Sequence, residues 1–251
     1  MKTNNVQSVI KAMKIFEELV YCGEPLSLTR LSEKVGLNIS TVHRLVNTLL
    51  HLNYVEQNKE GLYKLGLLTY QMAELINRDF DLREVVRPFL EDIVRQFNET
   101  SNLVVFENNQ VVYLDQVESN NMVRMFASVG SRGPAYCTGA GKMLLSYLNE
   151  QELAEYMQET NFVSHTENTF ANPGKLKLEL LKIKEQGYSL DLEEREIGVR
   201  CLSVPIENRE GRVLGALSIS GPSARMTMEF IMLELLPVLR KKTEKIKEKI
   251  R

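Results

Sequence analysis

The chain has 251 residues and a formal net charge of −2, with 43% hydrophobic and 25% charged residues. This length and composition predict a globular protein of two domains. The charge excludes a surface that is basic throughout but permits a small patch for nucleic acid. Three scattered cysteines (Cys22, Cys137, Cys201) without CxxC spacing exclude a disulfide framework and a structural zinc site. No leader peptide and no apolar run near the ~18 residues of a membrane span are visible, so a cytoplasmic location away from the membrane is expected.

The first 66 residues predict three helices followed by a β-hairpin. Apolar residues at helical spacing between positions 9 and 20 form the first helix, which Gly23 ends. Ser27 is placed to cap a second helix that Gly36 stops, and Asn38 is placed to cap a third. The segments 55–57 and 62–65 then flank a turn and predict the hairpin.

The remaining residues mix helices and strands. A helical stretch covers residues 67–98, with a fresh helix start at Asp81, where Asp81 and Glu84 have capping-box spacing. Strands are predicted at 103–106, 111–117, 123–127, 198–206 and 213–220, and helices at 142–148, 150–157 and 175–186. This order predicts an α+β domain on an antiparallel sheet.

The third helix has two different faces. One face is apolar and long enough to pack on the two preceding helices; it comprises Val42, Leu45, Val46, Leu49 and Leu52. The opposite face is polar and has no acidic residue; it comprises Ser40, His43, Arg44, Asn47 and His51. A solvated helix face usually mixes Glu with Lys, so the lack of acidic residues favours a binding surface. The competing interpretation is that this face only contacts solvent and binds nothing.

A short helix, a glycine-bearing turn, this helix and a hairpin together form a helix-turn-helix with a wing, whose last helix enters the major groove of DNA. Arg44 suits guanine, Asn47 suits adenine, and Ser40 and Thr41 suit phosphates or either base. Lys59 and Lys64 would set the hairpin against backbone phosphates. Residues 1–65 carry eight basic and six acidic side chains, so DNA contact would be confined to a small face.

Several motifs together resemble the IclR family of bacterial transcription regulators. They are LSLTRLSEKVGLNISTVHRL from Leu26, YV at Tyr54, GLYKLG from Gly61, TGAGK from Thr138, GYSLDLEE from Gly187, GVRC from Gly198 and LSISGP from Leu217. The resemblance covers nearly the whole chain in order. It implies a winged helix-turn-helix domain at 1–66, a linker helix at 67–84 and a GAF-like α/β effector-binding domain with an antiparallel sheet at 85–251.

The resemblance also implies partners and activity. The expected function is a repressor of a catabolic or transport operon that binds pseudo-palindromic double-stranded operator DNA and responds to a small organic acid. A homodimer, which can pair further into a tetramer, is expected. The candidate DNA-binding residues are Ser27, Asn38, Ser40, Thr41, His43, Arg44, Asn47 and Lys59.

A candidate effector site lies in the second domain. The glycines around Ala140 precede a helical run and can present backbone N–H groups to a carboxylate. Ser218 and Ser220 alternate with apolar residues, so both point to one sheet face. Matched to the family pattern, the effector-binding residues are Gly139, Ala140, Asp191, Cys201, Ser218 and Ser220, with Met125 as an apolar wall.

Other activities are weaker alternatives. A phosphate-binding loop at Gly141-Lys142 is excluded, because Tyr136 replaces the required glycine and Met143 follows the lysine. Glu193 and Glu194 are expected to cap or flank a helix. Because no nucleophile–base motif and no metal-ligand spacing are visible, no catalytic residue, metal or cofactor is expected. An enzyme acting on a small acid, with the N-terminal unit used only for dimerisation, is the main alternative, and a non-specific DNA-binding module is a third.

Overall fold

The structure is a computed structural model that describes residues 5–77, 82–125 and 127–250. The chain divides into two compact units, Met1–Asp81 and Leu82–Arg251. The domain boundaries expected at residues 66 and 84 remain predictions, and the capping box expected at Asp81 lies outside the described residues.

The N-terminal unit contains the three predicted helices, the hairpin and one further helix. In chain order these are α1 (Gln7–Cys22), α2 (Leu28–Val35), α3 (Ile39–His51), β1 (Val55–Gln57), β2 (Tyr63–Leu65) and α4 (Leu67–Asn77). The predicted caps form: the Ser27 side chain accepts a hydrogen bond from the Arg30 N–H, and the Asn38 side chain accepts one from the Thr41 N–H. Gly23 and Gly36 end α1 and α2 in the left-handed conformation, which glycine adopts at little cost.

The core of this unit lies between its helices. Ile15 of α1 and Leu31 of α2 pack with Val42 and Val46 of α3, and all four are fully buried. The apolar face predicted for α3 is correct except at its end. Leu52 is 49% exposed, because α3 stops at His51 and Leu52 is only its cap residue.

The C-terminal unit combines helices with one six-stranded sheet. Its helices are α5 (Leu82–Phe97), α6 (Gly139–Leu145), α7 (Glu150–Glu159), α8 (Pro173–Gln186), α9 (Met228–Phe230) and α10 (Leu236–Lys249), with a π-helical turn at Ile231–Leu235. Its strands are β3 (Thr100–Glu107), β4 (Gln110–Val117), β5 (Arg132–Pro134), β6 (Ser189–Leu192), β7 (Val199–Glu207) and β8 (Val213–Pro222). They pair antiparallel in the order β5-β4-β3-β8-β7-β6, as an α+β domain requires.

Each face of the sheet has its own core. Helices α5 and α10 cover one face, where Leu103, Leu217 and Ile219 are fully buried. Helices α6, α7 and α8 cover part of the other, around Val104 and Ala216. Alternation along β3 and β8 therefore sends neighbouring residues into different cores.

The sequence misplaced some strands. The strand predicted at 123–127 is wrong, because residues 123–125 and 127 lie in a loop, and Phe126 is outside the described residues. The Thr100 hydroxyl donates to the Met125 carbonyl and Arg225 donates to that of Val123, so side chains rather than a neighbouring strand hold this loop. The short strands β5 and β6 were not predicted.

Across the described ranges, no helix is both long enough and apolar enough to cross a lipid bilayer.

Candidate functional site

The N-terminus of α3 is fixed by its cap. The Asn38 side-chain oxygen accepts hydrogen bonds from the Thr41 N–H at 2.9 Å and from the Ser40 hydroxyl at 3.1 Å. This satisfies part of the unpaired backbone at the helix start and sets the direction of the first turn. Asn38 keeps its amide N–H₂ group free of this cap, so it can still donate to an external acceptor.

The predicted binding face of α3 lies at the surface. Ser40, His43, Arg44, Asn47 and His51 are all exposed, and Thr41 is half-buried. Asn47 Nδ2 lies 3.4 Å from His43 Nε2, one helical turn apart, so these two side chains share an orientation. Within the described residues no carboxylate forms an ion pair with Arg44, and its charge is available to an external anion.

The two lysines of the hairpin differ in their surroundings. Lys64 forms an ion pair with Glu56 at 2.6 Å across the strands. Lys59 lies exposed in the turn, and the part of the chain that the structure describes gives it no carboxylate partner. Of the two phosphate contacts expected from the sequence, that of Lys59 is therefore the better placed.

Ser27, the remaining predicted DNA contact, is half-buried at the start of α2. Its oxygen accepts from the Arg30 N–H at 3.3 Å, and its hydroxyl hydrogen remains able to reach a phosphate.

Strand pairing brings together the predicted effector residues of the sheet. Asp191 on β6 pairs with Cys201 on β7, which pairs with Ser220 on β8. Ser218 pairs with Ser203 on one side and Asn102 on the other. Directly paired residues point to the same face, so Asp191, Cys201, Ser218 and Ser220 share one side of the sheet.

The start of α6 approaches the same face. A Cβ built on Gly139 would lie 3.1 Å from Cys201 Sγ, closer than an ordinary contact, so a side chain there would displace the cysteine. A Cβ on Gly141 would lie 2.3 Å from the Ala135 carbonyl oxygen, which only glycine avoids. Thr138 caps the helix through the Gly141 N–H, and Ala140 is buried beside Gly139.

Met125, the predicted apolar wall, is half-buried in the loop after β4. Its carbonyl is held by Thr100, which pairs with Ser220, so the loop is tied to the end of the sheet that carries the serines. The structure thus places Met125 near this part of the sheet through its backbone.

The sequence prediction missed a pair of side-chain amides on this face, one buried (Asn102) and one half-buried (Gln116). Asn102 Nδ2 donates to Ser218 Oγ at 3.2 Å, and Gln116 Nε2 donates to Asn102 Oδ1 at 2.7 Å. These bonds connect β8, β3 and β4 in a row. The run of three polar residues, Thr100 to Asn102, just before the apolar part of β3 is the signal that could have indicated Asn102.

Lys142 and Glu194 form a buried ion pair beside the site. Lys142 is 0% exposed, its Nζ contacts Glu194 Oε1, and it lies 4.7 Å from the centre of the Phe170 ring. The expectation that Glu193 and Glu194 flank a helix is wrong, because both lie in the turn between β6 and β7. Glu193 pairs with Arg200 and Glu194 joins that turn to α6.

Burial controls the ionisation of the site. Burial raises the pKa of Asp191 to about 6, opposed by a hydrogen bond from the Glu194 N–H and by the charge of Lys142. Burial raises the pKa of the Cys201 thiol to about 12, so this cysteine stays protonated and unreactive at neutral pH. The site is therefore polar and unsuited to nucleophilic catalysis by this thiol.

A groove of about 890 Å³ lies at the other end of β3 and β8. It is lined by residues that include Phe106, Glu152, Glu155 and Val213, and by none of the predicted effector residues. The buried face around Ser218 is the better candidate for a ligand site, since it joins polar groups from five strands and a helix start.

Each of the two units matches a known protein family. The IclR helix-turn-helix domain matches residues 8–59, and the C-terminal domain of the bacterial transcriptional regulator IclR matches residues 75–248. The HTH-type transcriptional regulator XynR of Escherichia coli is 33% identical over 88% of each chain. The transcriptional repressor IclR of the same organism is 31% identical over 90% of this chain and 83% of its own.

A solved structure shows the same fold. The crystal structure of an IclR homolog complexed with 4-hydroxybenzoate, from Microbacterium hydrocarbonoxydans, has a TM-score of 0.86 at 22% identity, covering 98% of this chain and 99% of that one. The matched families are transcription regulators, so the alternative of an enzyme acting on a small acid finds no support. The chain is a DNA-binding transcription regulator and belongs to the IclR family.

Proposed function

We propose that the protein is a homodimeric repressor of a catabolic or transport operon, released from its operator or retained there by a small organic acid. The observation that carries the DNA-binding part is the exposed, acid-free face of α3, from Ser40 to His51. Repression is proposed because a relative of this chain, IclR of Escherichia coli, is a transcriptional repressor. Because a bacterial operator lies in the cytoplasm, the protein is proposed to be cytoplasmic.

The face of α3 suits the major groove. A guanidinium can donate two hydrogen bonds to guanine, and a side-chain amide can pair with adenine, so Arg44 and Asn47 are the proposed base-reading residues. Ser40, Thr41 and His43 lie on the same half of the helix, and Ser27, Asn38 and Lys59 surround it. These six are proposed to fix the register of the protein through phosphates or neighbouring bases.

Exposed apolar residues on the N-terminal unit support dimerisation. Val9, Met13 and Val20 of α1 and Tyr70 and Met72 of α4 are exposed, although large apolar side chains are usually covered. A second copy of this chain is the proposed cover. Two-fold symmetry then predicts a pseudo-palindromic operator with half-sites about 34 Å apart, and further pairing into a tetramer is compatible with this arrangement.

The effector is proposed to bind between the start of α6 and strand β8. Backbone N–H groups in the first turn of a helix, here those of Gly139 and Ala140, lack partners within the helix and suit a carboxylate. Ser218, Ser220 and Asp191 offer hydrogen-bonding groups opposite them. The homolog with bound 4-hydroxybenzoate supports an acid as the ligand class. Coupling of about 1–3 kcal/mol between the effector and operator sites would suffice for regulation.

A mobility-shift assay with the DNA upstream of the protein's own gene tests this function. The proposal predicts a discrete complex that persists at physiological salt, competes poorly with unrelated DNA and changes when the acid effector is added. Footprinting of the same complex should show two protected half-sites one helical turn, or a multiple of it, apart. Binding without sequence preference that collapses as salt increases would instead identify a non-specific DNA-binding module.

A further inference from the structure

The proposed acid effector meets an electrostatic difficulty at its site. Asp191 is buried on the same sheet face as Ser218, and its carboxylate would repel a second carboxylate. The nearest buried cation, Lys142, does not solve the problem, because its Nζ contacts Glu194. Besides the backbone N–H groups proposed above, an anionic ligand therefore requires another positive group beside Asp191.

Arg195 lies in the turn that holds this carboxylate. It follows Glu194 in the turn between β6 and β7, and the Glu194 N–H donates to Asp191 Oδ1 at 2.8 Å. The backbone of Arg195 therefore lies in the same turn whose N–H group binds the Asp191 carboxylate, the group that would repel an acid ligand.

The guanidinium of Arg195 has a neutral partner rather than an acidic one. Its NH1 lies 3.1 Å from His165 Nδ1 and 2.7 Å from Nε2, and the Tyr136 hydroxyl lies 3.3 Å from the same Nε2. Burial and the charge of Arg195 lower the pKa of His165, so the ring is neutral at pH 7. Among the described residues, no carboxylate forms an ion pair with Arg195, and its positive charge is not cancelled.

The charge of Arg195 acts on the site. Burial raises the pKa values of Cys137 and Tyr113 to about 12 and that of Asp191 to about 6, and the charge of Arg195 opposes all three increases. Cys137 lies two residues before Gly139, and Tyr113 is on β4. The guanidinium therefore favours negative charge in the space between α6, β4 and β6.

We propose that Arg195 receives the carboxylate of the effector, with His165 positioning its guanidinium, and that Asp191 accepts a hydrogen bond from a hydroxyl of the same ligand. This deepens the proposed function and rests on it. The ligand class is a hydroxy acid, whose carboxylate faces Arg195 and whose hydroxyl faces Asp191. An arginine is suited to this role because its planar fork of N–H groups matches a carboxylate.

Calorimetric titration of the full chain with D-gluconate, L-lactate and 4-hydroxybenzoate tests the proposal. Arg195→Gln should weaken the hydroxy acid that binds the wild type by about ten- to a hundredfold, as expected for loss of a charge-assisted hydrogen-bonded pair. Arg195→Lys should restore part of that affinity because it keeps the charge. The matched control is Arg212→Gln, an exposed arginine about 20 Å along β8 from Ser218, which should bind like the wild type.

Two further measurements keep the outcomes distinct. Operator affinity without acid should be unchanged in Arg195→Gln, which shows that the variant is folded. Binding of 4-hydroxybenzamide, which has no carboxylate, should not depend on Arg195. If an acid binds wild type and Arg195→Gln alike, or if Arg212→Gln loses as much affinity, Arg195 has no such role. If none of the three acids binds the wild type at millimolar concentration, the acid effector itself is wrong, and this inference with it.

Discussion

The two lysines of the hairpin lie five positions apart, and only one of them forms an ion pair. Lys59 is exposed without a carboxylate partner among the described residues, whereas Lys64 is paired with Glu56. We expect Lys59→Ala to weaken binding to all DNA sequences alike and to reduce the slope of log affinity against log salt by about 1, because one phosphate contact is lost. Fluorescence anisotropy over a range of salt concentrations measures this slope. Lys64→Ala is the matched control and should change it less; an equal effect of both variants would contradict the placement of the hairpin.

The buried carboxyl of Asp191 predicts a dependence of stability on pH. Burial raises its pKa to about 6, so the folded state binds this proton more tightly than the unfolded state does. The free energy of unfolding should therefore fall as pH rises from about 4 to about 6, by about 3 kcal/mol for this group. Asp191→Asn stays neutral and should lack that fall.

Urea unfolding of wild type and Asp191→Asn at both ends of this pH range measures the difference, since contributions of unrelated groups cancel between the two proteins. A difference between the proteins that is the same at both pH values would show that Asp191 ionises as it does in the unfolded chain.

Individual residues also show where the sequence was insufficient. Gly139, Asp191 and Ser218 are far apart in the chain, and only the resemblance to a family grouped them before the strand pairing was known. Arg195 has the appearance of a solvated charge in an acidic turn, because its relation to Asp191 and His165 depends on how that turn folds. Asn102 and Gln116 were missed for the same reason.

Helix α3 packs on its unit through one apolar face. Leu49 is 6% exposed and Leu52 is 49% exposed, although both leucines belong to the apolar face that the sequence predicts. We expect Leu49→Ala to destabilise the N-terminal unit by about 2–5 kcal/mol, as a cavity in a packed core does. Leu52→Ala should stay within about 0.5 kcal/mol of wild type. Urea unfolding, monitored by circular dichroism of the helices, compares the free energies of unfolding of the two variants. If Leu52→Ala lowered this free energy as much as Leu49→Ala does, α3 could not end at His51.

At the level of elements, the helices with clear caps were predicted best. Ser27 and Asn38 cap α2 and α3 as predicted, because capping depends on neighbours in the sequence. The strand predicted at 123–127 was wrong, since alternating apolar residues do not form a strand without a neighbour to pair with. β4 pairs instead with β5 at Arg132–Pro134, and β6 has only four residues, too few for a period to be visible.

On the scale of the whole molecule, the chain combines an N-terminal unit with a binding helix and a C-terminal unit with a buried polar face. The α+β class and most of the elements, but not β5 and β6, were predictable from periodicity and turns, and the family matches agree with the two-domain order. The proposed regulation depends on coupling between the effector site and the operator site. Such coupling is reciprocal, so operator DNA should change the affinity for the acid by the same factor by which the acid changes the affinity for DNA.

The most direct measurement of the central claim is the affinity of Arg44→Ala for the operator and for operators with each base pair replaced in turn. If the exposed face of α3 reads the major groove, this variant should lose roughly 1–3 kcal/mol on the intact operator and become indifferent to one base pair in each half-site. Arg209→Ala, in the other unit, should keep the wild-type affinity. An Arg44→Ala protein that binds every operator as the wild type does would contradict the assignment of α3 as the DNA-reading helix.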